Sequence, residues 1–310
     1  MASPTDLHEA STAITQAAPT GNNHSEDKAK TKTPLELISQ GVCLPGIPQF
    51  PTFGQHRQWM LEKMALSFRV FARKGYTAGL AGHISVRDPE WPHTFWMNPL
   101  AKHFRLMKAS DMILVDYAGK PIGGNTSSPA NGAGFQIHSA IHKSRPDVMA
   151  AAHTHSPHGL AWSPFGRRLE MLTQDAAYVY GEAQGVYNVS PQIRVVERKD
   201  TCADCPGRIS AEWSSLKKKA SRSAMRWNHG LVTVGHTVDE ACFLMTLMER
   251  CCRVQLLADA AAANGLSKTY VSDQAARYTF ENSSTPETLY WEAQADLEWE
   301  AAMSGSAHRG

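Results

Sequence analysis

His153-Thr154-His155 is the tripeptide in this chain best suited to chemistry. It follows the run Val148-Met149-Ala150-Ala151-Ala152, so 148–155 reads as a buried strand that reaches the surface at its end. On a strand, residues i and i+2 share a face, with Cα atoms roughly 6.6 Å apart. Two imidazoles at that separation can converge on one ion through metal–nitrogen bonds of about 2.1 Å. A third ligand is needed, and His229 is the best candidate. It stands between Asn228 and Gly230, where a strand can end and the backbone can turn sharply. His138 and His142 are spaced i, i+4 on an expected helix and share a face. No Glu stands beside the first of them, so the zincin pattern is not met and packing is the expected role. His103, His158 and His236 read as ordinary polar positions.

These residues need a frame. Trp59, Met60, Met64, Phe68 and Phe71 recur at helical spacing over 55–73, and Gly75 ends that helix. Strands are expected over 82–87, 94–98 and 112–116, followed by a turn at Ala118-Gly119-Lys120. A helix over 133–143 must stop before Pro146, and a short one over 157–162 follows. Tyr178-Val179-Tyr180 and 193–196 look like strands, and 208–219 like a helix. Strands over 224–227 and 231–234 bracket Asn228-His229-Gly230. A long helix over 238–263 carries Phe243, Leu247, Val254, Leu257 and Ala261 on one stripe, with Asp239 and Glu240 favoured by the dipole of its first turn. Strands mixed with helices on this scale predict an α/β domain with helices on both faces of one sheet. We expect residues 1–33 to be a disordered leader, 34–54 an extended wrapping segment, 55–264 the domain, and 265–310 a polar C-terminal extension punctuated by aromatic residues.

Composition excludes several classes of function. A net charge of +2 and a densest basic run of only Lys217-Lys218-Lys219 give no nucleic-acid footprint. No stretch approaches the roughly 20 apolar residues of a membrane span, and the N-terminus lacks a secretory pattern. Six cysteines in 310 residues is not a disulfide framework. Cys202 and Cys205 form a lone Cys-X2-Cys, short of the four ligands of a closed zinc site. A cytoplasmic protein is expected.

Three ordered motifs carry a family resemblance. Gly82-His83-Ile84-Ser85-Val86-Arg87 resembles the Gly-Asn-X-Ser-X-Arg signature of class II aldolases and adducin head domains. The stretch Ala133 to His155 resembles that family's central helix and His-X-His strand, and Asn228-His229-Gly230 its third-ligand motif. The similarity runs from about Gln55 to Asn264 and is strongest toward a fungal adducin-like branch. It implies a three-layer α/β/α sandwich around a mainly antiparallel sheet. It implies a homotetramer with sites near subunit interfaces, and a divalent transition metal on His153, His155 and His229. In the family the ion is usually zinc, with Fe(II) an alternative. It polarises a carbonyl while a neighbouring C–C bond is made or broken.

The chain departs from the family where the sugar-phosphate aldolases do their chemistry. The catalytic Glu aligns with Gly134, and glycine cannot move a proton. The signature Asn is His83. The two phosphate-binding serines align with Gly132 and Ala133, and the phosphate loop with Asn98-Pro99-Leu100-Ala101. The phosphate pocket therefore lacks its hydroxyl donors, and His83, Asn98 and Gly134 are expected to line a roomier, less polar substrate site. Asp175, Glu182, Tyr178 and Tyr180 are candidates for a relocated acid or base, with no choice among them. The expected activity is a metal-dependent lyase of secondary metabolism acting on a non-phosphorylated carbonyl or carboxylate compound. An Fe(II)-dependent oxidative decarboxylase and a non-catalytic assembly module are the competing expectations.

Overall fold

Each face of the sheet is built by alternation. In strand β1 (His83–Arg87), Ile84 and Val86 enter the main core while His83, Ser85 and Arg87 point to the opposite face. The structure, a computed structural model, describes residues 32–187, 221–226 and 228–310. Strands β2 (Thr94–Met97), β3 (Ile113–Asp116) and β4 (Pro121–Gly124) continue the sheet on one side of β1. Strands β5 (Ala150–Thr154), β6 (Gln184–Tyr187), β7 (Ser223–Arg226) and β8 (Gly230–Gly235) complete it on the other. The order is β4-β3-β2-β1-β5-β8-β7-β6. Every neighbouring pair is antiparallel except β6 with β7.

Helices α1 (Pro34–Ile38) and α2 (Phe53–Arg73) precede the sheet. Thr33 and Glu36 form a capping box on α1, and the Thr52 side chain accepts from Gln55 N–H at the start of α2. Helix α3 (Gly132–Ser144) covers the first face, where Ile137 and Ile141 pack against Ala151, Val232 and Val234. Phe135 extends that layer over Phe95. Helices α4 (Pro157–Trp162) and α5 (Gln174–Ala177) are short connectors. Helix α6 (Val238–Ala263) shares the second face with α2 and has the bounds the sequence predicts. Met64, Phe68, Phe71, Leu244 and Met245 are fully buried there. Burial of each such side chain stabilises the fold by about 1.5–3 kcal/mol relative to exposure. The three-layer α/β/α sandwich with a mainly antiparallel sheet is therefore the observed architecture.

Several local expectations fail. Tyr178-Val179-Tyr180 is a turn after α5, and the strand lies later, at β6. Strand β4 is an addition whose glycines gave no strand pattern. Leu257 is exposed, because the buried side of α6 thins out beyond Gln255. Residues 273–304, polar in sequence, form helices α7 (Asp273–Ser283) and α8 (Pro286–Ser304). Leu289, Ala293 and Leu297 of α8 join the main core. Arg73 binds Asp296 and Glu300, and Gln294 bridges Lys63 and Asp239, fastening α8 to α2 and α6. The expected elements at 193–196 and 208–219, the Cys202/Cys205 pair and nearly all of the expected leader lie outside the described residues.

Candidate metal centre

Strand register assembles one end of the sheet. His83 begins β1 directly opposite His153 near the end of β5, and His153 stands opposite Val232 of β8. The turn into β8 then delivers His229 to the same end. That turn depends on its glycine: Gly230 has φ +123°, and a Cβ there would lie 2.9 Å from the Thr154 carbonyl oxygen. Asn228 also takes a left-handed φ of 52°. His155 lies just past the end of β5.

The three imidazoles converge. Ring centroids are 5.1 Å apart for His153 and His155, 5.0 Å for His153 and His229, and 4.9 Å for His155 and His229. One nitrogen from each can be chosen so that all lie within 4.8 Å of one another, the group of potential metal ligands found among the described residues. His153 is buried and the other two are partly exposed, giving an interior anchor and an open side. The Leu231 carbonyl accepts a 2.7 Å hydrogen bond from His153 Nδ1–H. That bond fixes the tautomer and leaves the Nε2 lone pair for a ligand. Nε2 is buried without a hydrogen-bond partner. An orphaned acceptor facing two further imidazoles fits a borderline-soft divalent ion. Burial, with His83, His229 and His155 nearby, holds His153 well below the ordinary histidine range, so the ring is neutral.

A second histidine group lies behind the first. His83 Nδ1 meets His138 Nε2 at 2.6 Å, His138 Nδ1 meets the Ser85 hydroxyl at 2.6 Å, and that hydroxyl meets His142 Nε2 at 2.8 Å. The i, i+4 spacing of His138 and His142 pointed to a shared helix face, but nothing in the sequence pointed to Ser85 between them. Helix position matters here. Asn131 caps α3 by accepting from Gly134 N–H, and Arg87 at the other end donates to the His142 and Arg145 carbonyls.

Gly134 sits in the first turn of α3 against His83. A Cβ on Gly134 would lie 2.6 Å from His83 Cδ2, 2.8 Å from Cγ and 3.1 Å from Nε2. The imidazole therefore fills the space a side chain at 134 would enter. Asn98 is buried, and its amide accepts from Ile84 N–H and donates to the Pro99 carbonyl, which ties the β1 start to the following loop.

The candidates for a relocated acid or base are engaged elsewhere. Asp175 pairs with Arg250, Glu182 lies near Arg168, Tyr178 donates to Glu292, and Tyr180 bonds Asp273. His158 bonds Glu249, His236 bonds Glu240, and His103 caps a short turn.

The sequence profile of the Class II Aldolase and Adducin N-terminal domain matches residues 62–256. The chain belongs to this family. It is 39% identical over 259 residues to the Meiotically up-regulated gene 14 protein of Schizosaccharomyces pombe, spanning 84% of this chain and 95% of that one. It is 40% identical over 221 residues to a 4-hydroxy-3-prenylphenylpyruvate oxygenase/4-hydroxy-3-prenylbenzoate synthase of Streptomyces roseochromogenus, covering 69% of this chain and 73% of the relative. Among solved structures, the L-fuculose 1-phosphate aldolase from Glaciozyma antarctica superposes with a TM-score of 0.73 at 35% identity, over 85% of this chain and 97% of that one. No helix among the described residues is long and apolar enough to cross a membrane.

Proposed function

We propose that this protein is a metal-dependent lyase that makes or breaks a C–C bond next to a carbonyl, with His153, His155 and His229 holding a divalent transition ion. The observation that carries the reading is the buried His153 Nε2, left without a hydrogen-bond partner and facing the other two rings. Other buried polar atoms among the described residues also lack a partner, but His153 Nε2 belongs to a group of three converging ligand atoms, and a bound ion would offset the roughly 1–3 kcal/mol that an unsatisfied buried polar group costs. When bound, the ion would supply Lewis-acid polarisation of the carbonyl.

This chain's own residues do the rest. Leu231 fixes the His153 tautomer. His83 and Gly134 shape the wall beside the ligands. Asn98 ties the start of β1 to the segment that follows β2. With Gly132, Ala133 and the Asn98-Pro99-Leu100-Ala101 segment lacking hydroxyl donors, the substrate is a carbonyl or carboxylate compound without a phosphate, larger than a sugar phosphate. We propose zinc as the ion and a homotetramer as the assembly. Metal analysis of the purified protein tests the reading: about one ion per chain is expected, and less than about 0.2 would refute it.

The Streptomyces relative is named an oxygenase, which favours a second reading: oxygen chemistry on the same histidines, for which we propose Fe(II) as the ion and oxidative decarboxylation as the reaction. Oxygen uptake by the iron-loaded protein, absent from the zinc-loaded form, would select it.

A further inference from the structure

We propose that a second small-molecule site lies at the end of the sheet away from the histidine centre, and that it takes an aromatic ring on a short chain ending in an ammonium group. The site is a cavity of about 460 Å³, roofed by residues 46–50 of the segment that precedes α2. Val86 of β1 and Met149 just before β5 form its floor, and the starts of α2, α6 and α8 form its walls. Four steps along the chain, roughly 13 Å of strand, separate Met149 from His153. A ligand held here therefore binds apart from the histidine centre.

The first support is the shape and lining of the cavity. Small-molecule sites run to roughly 300–1,000 Å³, with mostly apolar walls and a few convergent polar groups. Met60, Val86 and Val238 supply buried apolar wall. Three rings supply flat wall. Phe50 stacks on His56 with centroids 5.3 Å apart and 15° between the planes, and lies 5.1 Å from Trp59. Burial holds His56 below the ordinary histidine range, which keeps that ring neutral at neutral pH. Ring faces accept another ring by offset or edge-on packing, and accept a cation through their negative faces. The ring nitrogens of His56 and Trp59 form no hydrogen bond among the described residues, so the same wall offers polar atoms to a ligand. The roof is held by a bond that leaves the lining free: Trp291 Nε1–H donates to the Pro45 carbonyl at 2.6 Å.

The second support is charge, which selects the head group. Glu287, in the first turn of α8, enters no ion pair among the described residues. The other charged partner on the lining is already matched, because His236 lies 3.4 Å from the Glu240 carboxylate. Nor does the start of α6 await an anion. The Thr237 hydroxyl accepts from Glu240 N–H, and the Glu240 carboxylate accepts from His236 N–H. A ligand carboxylate would meet Glu287 as a like charge, whereas an ammonium would pair with it.

Titration of the full-length, metal-loaded protein with tryptamine tests the proposal, read through the signals of 13C-methyl-labelled methionine. Met60 and Met149 line the cavity, whereas Met245 accepts from the Thr154 hydroxyl on the ligand strand and reports on the histidine centre. Tryptamine should shift the Met60 and Met149 methyls and leave that of Met245 in place. Propylamine, which has the ammonium without the ring, should bind about tenfold more weakly. Indole-3-acetate, which has the ring with the opposite charge, should bind about fivefold more weakly. Glu287→Gln, at an exposed position, should weaken tryptamine about two- to fivefold, the worth of an exposed ion pair, and bring the two indoles to within about twofold of each other. Met60 and Met149 methyls that stay in place at millimolar tryptamine, or binding reported by Met245 alone, would overturn the site. Equal affinity for the two indoles, or tryptamine binding indifferent to Glu287→Gln, would overturn the choice of ligand.

Discussion

Two groups of histidines share one end of the same sheet, a few ångströms apart, and differ in what surrounds them. In the outer group, His153, His155 and His229 face one another across an open side, and a buried nitrogen has no partner. In the inner group, His83, His138 and His142 are enclosed under α3 and joined through Ser85 into a continuous hydrogen-bond chain; His142 Nδ1 is likewise buried without a hydrogen-bond partner, but it belongs to no group of converging ligand atoms among the described residues. Residue type is the same; cover and partners decide the role. A buried ring nitrogen left without a donor beside two further imidazoles calls for a cation, whereas one that meets a proton is already satisfied.

The largest expected effect breaks the outer group. His229→Ala should reduce bound metal from about one ion per chain to below about 0.2, read by elemental analysis. The thermal transition of the metal-free protein should barely move, since the ring is partly exposed and lies at a turn. His142→Gln should do the reverse and leave metal content intact. If both variants lose metal equally, the two groups form one site.

Protonation separates the groups next. His138 and His142 are neutral in the fold but titrate near 6.5 in the unfolded chain. As pH falls, the unfolded state takes up protons that the native state refuses. Their contribution is therefore fully present above about pH 7 and lost below about 6.5, at up to about 1.4 kcal/mol per pH unit for each ring. For His142 the loss continues toward about 3. Urea unfolding of chelator-treated protein at pH 7.5 and 5.5 should register this decline. His142→Gln should remove about one ring's share of the slope, whatever it does to absolute stability. An unchanged slope would mean that His142 is not buried neutral.

Steric fit gives a smaller effect. Gly134→Glu, which puts a carboxylate side chain into the first turn of α3, should cost about 1–3 kcal/mol by overpacking His83. His83→Asn alone opens that space, and the double variant should recover most of the loss. A coupling energy near zero in the double-mutant cycle would mean that the two positions do not share this volume.

The outer group was the more legible of the two in sequence. A His-X-His at the end of an alanine-rich strand, with a third histidine before a glycine, follows from strand periodicity and turn chemistry. The inner group was half legible: spacing placed His138 and His142 on one helix face, but register alone brings Ser85 and His83 to them. The sequence treats His83 and Gly134 as two separate positions, and only the fold has the ring of one filling the space a side chain at the other would enter. Away from the site, α8 escaped notice because its buried side carries Gln294 and Glu300, paired with Lys63 and Arg73, which blurs the apolar stripe. Tyr178-Val179-Tyr180 alternates like a strand, yet α5 begins just before it at the Thr173 cap and runs into the turn.

His158 supplies the finest test of the comparison, because it is close in sequence to the outer group yet satisfied like the inner one. Its ring Nδ1 and its backbone N–H both bond Glu249 at 2.8 Å, and Gly159 N–H bonds the other carboxylate oxygen at 2.7 Å. Glu249 thus fastens the start of α4 to α6, and the imidazole is one donor of three. His158→Ala leaves the two backbone donors in place, so the expected cost is about 0.5–1.5 kcal/mol in urea unfolding, with metal content unchanged. A drop in metal content would show that sequence proximity to His155 matters more than partnership, and would undo the distinction between the two groups.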